Sequence, residues 1–458
     1  YPTKVGLFRI IKLWYRVKRL LREKSVDDIL SLPQLSDQGK VSVHRFLLHI
    51  SALSVSANSK ADVVYACLML VEDTIVQGLS KYSANGLGVY SMVQVKIFEN
   101  YEHAFKLGQL FLSISQELQV ADSVVGTTIL SVGVLHIKKP IRDLVDPLSR
   151  AFDRCFSDEQ VFFGTTAACY SLIGSLASGA HLADVLENSR NFIGMFRAYQ
   201  QEGLARWLLP MRQCAMSLTT VFDNWLDASL LTGEAMHEDE FLRRCEQDDL
   251  QVLIGHTLNC KLLLAYHFGQ YTVAESLLKK LVIPFKTIRG SFQFYIHHFF
   301  ASMTYMALYE DHPKRKSLRK ARSHQRQLAL RGDDCPNSTP LVKVLAAEEL
   351  SLAVAGDLSK YEAAVDTAAD ACTEAGLVHH KALLYERAGF TYVRHNANIK
   401  ARDYFDRALA LYDEWGSLAK CAYLDAQSQA VLLTGMQKGS NLAGTMVDIP
   451  IVVVCSQP

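Results

Sequence analysis

Along most of this chain the apolar positions recur every three to four residues, in runs separated by short polar or glycine-containing breaks. That is the spacing of helices that bury one face. The pattern predicts a basic helix over Tyr1–Lys24, a turn at Ser31–Asp37 (SLPQLSD) and a pair of helices over Val41–Leu79. SANGLG (Ser83–Gly88) reads as a tight connection into another helix, and prolines separate helices within Lys138–Phe152. Phe162–Leu230 is mostly helical, with breaks near Gly179 and Pro210, and Leu330–Pro340 (LRGDDCPNSTP) is a loop. Only 11 prolines and 25 glycines punctuate 458 residues, which favours helix over a many-stranded β protein.

The pattern repeats. Sliding the chain by roughly 40 residues lays Tyr361–Glu386 over Ala401–Ala426. Asp366 then meets Asp406, Ala368 meets Ala408, Gly376 meets Gly416 and Leu384 meets Leu424. Tyr385, Gly389, Tyr392, Ala401, Phe405 and Ala408 stand at the intervals of the tetratricopeptide pattern. Gly389 and Ala408 lack bulk and let two antiparallel helices approach, while Gly416 can end a helix in the left-handed conformation. Gly269 and Ala274 mark a similar turn within Leu262–Leu281, and Gly356 another within Leu341–Ala368. NYEHAFKLGQLFL (Asn100–Leu112) echoes the helix that follows such a turn.

The expected fold is therefore all-α: an α-solenoid of antiparallel helix hairpins, a tetratricopeptide-like superhelix. Residues 1–245 read as an irregular helical-repeat half and 246–438 as the clearer repeats, with the acidic stretch Glu238–Asp249 between them. Residues 439–458 leave the helical pattern and read as a linker or disordered tail.

CPNSTPLVKVLAAEELSLAVAGD, followed by YDEWGSLAKC, resembles the helical-repeat region of very large signalling proteins. In those proteins a protein-kinase-like domain and a STAND/AAA-type ATPase precede the array, and a GAF sensor with a histidine kinase or cyclase often follows. LPQLSD, IVQGLSKYSANGLGVY, NYEHAFKLGQLFL and AYHFGQYTVAESLL are similar to phrases of that region, so the likeness runs to near Gly435. DRCFSDEQVFFG (Asp153–Gly164) departs from it, standing where the family tends to have a Gly-Asp turn. The resemblance implies an intracellular signalling protein and gives this segment no catalytic residue of its own.

Composition adds limits. With 49% hydrophobic and 21% charged residues the chain can bury a large core, and a formal charge of +1 gives no bulk attraction for nucleic acid. Ten scattered cysteines without a C-x-x-C suggest reduced thiols of a cytoplasmic protein. Nothing reads as a secretory signal or a transmembrane segment, and IPIVVV (Ile449–Val454) is too short to span a bilayer. The chain opens on Tyr1 in mid-helix, as an internal fragment of a longer protein would.

Catalytic motifs are missing from the sequence: no P-loop, no kinase set, no H-E-x-x-H and no G-x-S-x-G. Enzymatic function, cofactor and metal are therefore not expected. His297 and His298 lie in an aromatic helix, where neighbours point in different directions and should not share a metal. HEDE (His237–Glu240) reads as a solvated loop. Gly6–Lys24 and His312–Gln327 read as helices with charged outer faces, with Leu318, Ala321 and Leu328 spaced to pack.

In a hairpin solenoid, function comes from the side chains on the concave face. By motif geometry these include Asn259, Tyr266 and His267 in one unit and Glu386, Phe390 and Arg394 in another. The expected role is a non-catalytic sensor or regulatory arm of a multidomain signalling ATPase or kinase. It would bind a protein, a peptide or a neighbouring domain. The alternative is a freestanding adaptor or scaffold.

Overall fold

The computed structural model describes residues 5–56, 59–96, 98–117, 123–332, 334–353 and 358–437. These are helical throughout, apart from turns and one β-bridge between Gln34 and Leu79. The first part holds α1 (Leu7–Glu23), α2 (Val26–Leu30), α3 (Gln38–Ser56), α4 (Lys60–Gln77), α5 (Ser83–Lys96), α6 (Tyr101–Glu117) and α7 (Val124–Gly133). The middle holds α8 (Arg142–Arg154), α9 (Val161–Ser178), α10 (Leu182–Ala198), α11 (Glu202–Ala205), α12 (Leu209–Thr219) and α13 (Glu238–Gln247). Then come α14 (Gln251–His267), α15 (Tyr271–Lys280), α16 (Phe285–Ile288), α17 (Gln293–Asp311), α18 (Arg315–Ala329), α19 (Thr339–Ser351), α20 (Ser359–Ala375), α21 (Val378–Arg394), α22 (Asn398–Trp415) and α23 (Leu418–Gln437).

Consecutive helices pair as hairpins: α3 with α4, α5 with α6, α8 with α9, α14 with α15, α17 with α18, α19 with α20 and α21 with α22. The fold is thus an all-α array of stacked helix pairs. One hydrophobic core runs through it from Leu13 to Leu432, continuous across the boundary expected at 245–246. Gly356 and the tail 439–458 lie outside the described residues.

Local chemistry explains several boundaries. Ser25 caps α2 through a reciprocal pair: its Oγ accepts the Asp28 N–H and the Asp28 carboxylate accepts the Ser25 N–H. The Ser31–Asp37 turn is held to the end of α4, where the Leu79 N–H donates to the Pro33 carbonyl and the Leu35 N–H to the Leu79 carbonyl. SANGLG departs from expectation, since it forms the first turns of α5 rather than a connection. Its glycines admit neighbours instead of bending the chain. A Cβ on Gly86 would stand 2.7 Å from Leu70, and one on Gly88 3.1 Å from the Phe111 ring.

α9 is, among the described residues, the one helix long and apolar enough to cross a bilayer. It is mostly buried within the fold, against α7, α8, α10 and α12. Its composition is that of a central core helix.

The repeat positions behave as their chemistry requires. Ala274, Ala401 and Ala408 are fully buried. Phe405 of α22 lies so close to Gly389 of α21 that an added Cβ would stand 2.4 Å from its ring. Tyr392 stacks on Tyr404 at 5.2 Å between ring centroids, and Tyr385 tilts against the same ring at 5.6 Å. Gly376 and Gly416 end α20 and α22 in the left-handed conformation, with φ of 69° and 81°.

Those helix ends do more than stop helices, because each receives a side chain from far along the chain. The Arg142 guanidinium covers Gly376, the His181 ring covers Gly416, His379 covers Gly179 and the Tyr423 hydroxyl covers Gly269. The Ser417 hydroxyl donates to the Leu218 carbonyl at 2.8 Å, and α23 packs on α12. The middle of the chain is thus seated on its last hairpins, along a seam of loop ends.

Replacing Gly389 with leucine should lower stability by roughly 1–3 kcal/mol through overpacking against Phe405. Gly194, with open space around it, should tolerate alanine and gain up to about 1 kcal/mol in helix propensity. Thermal melts of the two variants check both signs, and equal melting points would contradict the packing described for α21 and α22.

Candidate functional site

The six residues expected on a concave surface are mostly interior. Asn259 is fully buried, donating to Gln293 at 3.0 Å and lying 3.1 Å from His297 Nδ1. Tyr266 and His267 are buried against Phe300, with His267 also near Trp415. Glu386 is buried, accepting from the Tyr412 hydroxyl and from the Lys420 ammonium at 2.9 Å. Phe390 is half-buried, edge-on to Phe405, and Arg394 is exposed and ion-paired with Glu310. The expectation of an open binding face is therefore corrected for Asn259, Tyr266, His267 and Glu386. α14 packs against α12 and α17, and α23 closes over α21, so this inner face is core.

Two ionic groups sit inside that core. Lys420 is fully buried and donates to both Glu386 and the His267 carbonyl, the latter at 2.8 Å. Burial pulls its pKa below the usual lysine value, and the Glu386 charge opposes that pull. Nearby, Arg387 donates to Glu348 at 2.9 Å and pairs with Glu310, which also receives Arg394. Sequence reading missed Lys420. The available signal was a single lysine inside the otherwise apolar, helix-starting stretch of α23.

An accessible concavity lies elsewhere, where the 334–340 loop meets the start of α8 and the ends of α9 and α20. It encloses about 320 Å³. Its floor is apolar, with Ile141, Ile296, Pro340 and Leu341, and its rim carries Arg142, Lys343, Asp334 and Glu374. Asn337 builds one wall. Its amide donates to the carbonyls of His136 and Lys139, at 2.6 and 2.8 Å, and its carbonyl accepts the Ile141 N–H at 2.9 Å. The Tyr295 hydroxyl shares its proton between His136 Nδ1 and the His136 carbonyl, at 3.0 and 3.1 Å. Lys138 and Asp334 close the outer edge as an ion pair. The stretch read as a plain loop is thus a latch between segments some 200 residues apart.

The core is also rich in neutral imidazole. Burial, then the Arg331 charge, pushes His136 down to about 3, and burial alone does the same to His379. His256 also falls to about 3, through burial and then the Lys96 charge, and His324 to about 4, through burial and then Lys320. No protein-family model matches this chain, and no curated protein is significantly similar to it.

Acid should unfold the protein early. Between these depressed values and about 6.5 the unfolded chain binds more protons than the folded one, so stability rises with pH and falls on acidification. The stabilisation is complete above about pH 6.5 and is lost as pH drops, at up to about 1.4 kcal/mol per pH unit for each such histidine. Denaturant midpoints should decrease steadily from pH 7 to pH 5. A midpoint that stayed level or rose over that interval would refute the burial of these rings.

Proposed function

We propose that this chain is a non-catalytic protein-interaction arm of the helical-repeat kind, taking a peptide or a segment of a neighbouring domain in the cleft beside Asn337. The observation that carries this reading is the cleft itself. It has an apolar floor large enough for a few side chains and a rim of both charge signs, Arg142 and Lys343 facing the same space as Asp334 and Glu374. It stands where the ends of stacked hairpins meet, and helical-repeat arrays recognise partners through surface residues rather than through a reacting group.

The larger setting, a regulatory arm attached to a signalling ATPase or kinase, rests on the sequence phrases that resemble such proteins. Binding in the cleft would then bias the attached switch through unequal contact with its two states. The cysteines support a reducing, cytoplasmic setting, since those described are free and nearly all buried.

The test is selection of a phage-displayed random peptide library on the immobilised chain. Enriched peptides should bind the wild-type chain and lose at least about tenfold in affinity when Arg142 and Lys343 are both changed to glutamate. They should be indifferent to Ile399→Ser at a remote exposed position. Failure to enrich, or peptides insensitive to the charge reversal, would sink the proposal.

A further inference from the structure

Three histidines converge between α17 and α18. Consecutive residues of α17 supply His297 and His298, and the antiparallel α18 brings His324 to them. One nitrogen from each ring can be chosen so that all three lie within 4.8 Å of one another. His298 Nδ1 and His324 Nδ1 are 2.9 Å apart. Adjacent histidines are not expected to share a metal, and it is the third histidine, from α18, that brings three nitrogens together. Their rings do diverge, with an interplanar angle of 81°, but the third ring from α18 sits near both.

The surroundings suit ligation. His297 and His298 are almost wholly buried and His324 is partly so. Each ring, in its neutral form, offers a metal one lone pair, and the His298 Nδ1–His324 Nδ1 contact is a hydrogen bond that an ion would replace. The His297 ring is already oriented. Asn259 Nδ2 donates to Gln293, so its carbonyl faces His297 Nδ1 at 3.1 Å and holds the proton there. Gln293 in turn donates to His256 at 3.2 Å. His297 Nε2 therefore keeps its lone pair, through the outer hydrogen bond that metal-binding histidines ordinarily possess.

Phe285 stacks on His297 at 3.8 Å, Phe294 stands edge-on to His298 at 4.5 Å, and Tyr305 stacks on His324 at 6.0 Å. The nearby cations are turned away onto rings. Lys320 lies over Tyr305 and reaches Glu275 at 3.4 Å, and Arg331 lies over Phe294.

We propose that His297, His298 and His324 bind one late first-row divalent cation, of which Zn²⁺ is the type, with water as the fourth ligand. Three neutral imidazoles with no carboxylate among them match the borderline ions rather than Mg²⁺ or Ca²⁺. Tetrahedral coordination at about 2.1 Å sets the nitrogens about 3.4 Å apart. Nitrogens spaced within 4.8 Å of one another would need only small shifts to reach that spacing, and the 2.9 Å Nδ1 pair would open slightly if both its nitrogens were ligands. Such an ion would pin the second half of α18, whose outer face is basic, to the first turns of α17.

The experiment titrates the chelator-stripped chain with Co²⁺ and Zn²⁺. One Co²⁺ per chain should give the visible bands of a tetrahedral nitrogen site without thiolate charge transfer, and Zn²⁺ should displace it. His324→Gln should weaken Zn²⁺ binding by roughly 100-fold, while His312→Gln, at an exposed position, should leave it unchanged. X-ray absorption of the wild-type zinc complex should show three imidazoles, a result that does not depend on the variant's folding. Absence of saturable binding, sulfur scattering, fewer than three imidazoles, or a His324→Gln chain that keeps its affinity would each overturn the site.

Discussion

A lysine ammonium with no exposure to water constrains this fold more than any other group. Lys420 has left solvent completely, and its charge is tolerable only because Glu386 and the His267 carbonyl accept its protons. Those partners come from three helices: α23 supplies the lysine, α21 the carboxylate and α14 the carbonyl that ends it. Tyr412 of α22 completes the carboxylate, and the Tyr412 and Tyr423 rings lie beneath the ammonium at 5.1 and 4.9 Å. The position of α23 over α14 and α21 is thereby specified, not merely permitted. An apolar contact could slide; a buried charge with directed hydrogen bonds has one register.

The rest of the seam follows. With α23 fixed, Ser417 reaches the Leu218 carbonyl, His181 covers Gly416 and Tyr423 covers Gly269. The same approach sets His379 on Gly179 and Arg142 on Gly376. Left-handed glycines at helix ends suit this use, because they offer bare backbone to a side chain arriving from another repeat. Closure moves the recognition surface: the inner face of α14 and α21 becomes core. A cleft remains at the outer meeting of α8, α9, α20 and the 334–340 loop, where Asn337 holds the two segments together.

Much of the architecture was legible in the sequence. Helical period, sparse proline, the spacing of Gly389, Phe405 and Ala408, and the stop at Gly416 are local properties, and local physics reads them correctly. SANGLG was misread because glycine carries two meanings, turn and close packing, and only the neighbours Leu70 and Phe111 decide between them. The proposed binding residues were misplaced for a related reason. Motif spacing says which side of a helix faces inward, but not whether that inside stays open. Openness depends on Lys420 meeting Glu386 and His267, pairings 34 and 153 residues apart. His324 was invisible as a partner of His297 and His298 for the same reason, since its role depends on the register of α17 against α18.

The most direct test of the closure is a double-mutant cycle on Glu386 and Lys420, read by chemical denaturation. Glu386→Leu and Lys420→Met should each cost about 3–5 kcal/mol, by leaving one buried charge unpaired. The double variant should cost less than their sum by at least about 2 kcal/mol. Single losses below about 1 kcal/mol that simply add are the behaviour of an exposed pair. That result would mean α23 does not close over α14 and α21, and that the inner face is open after all.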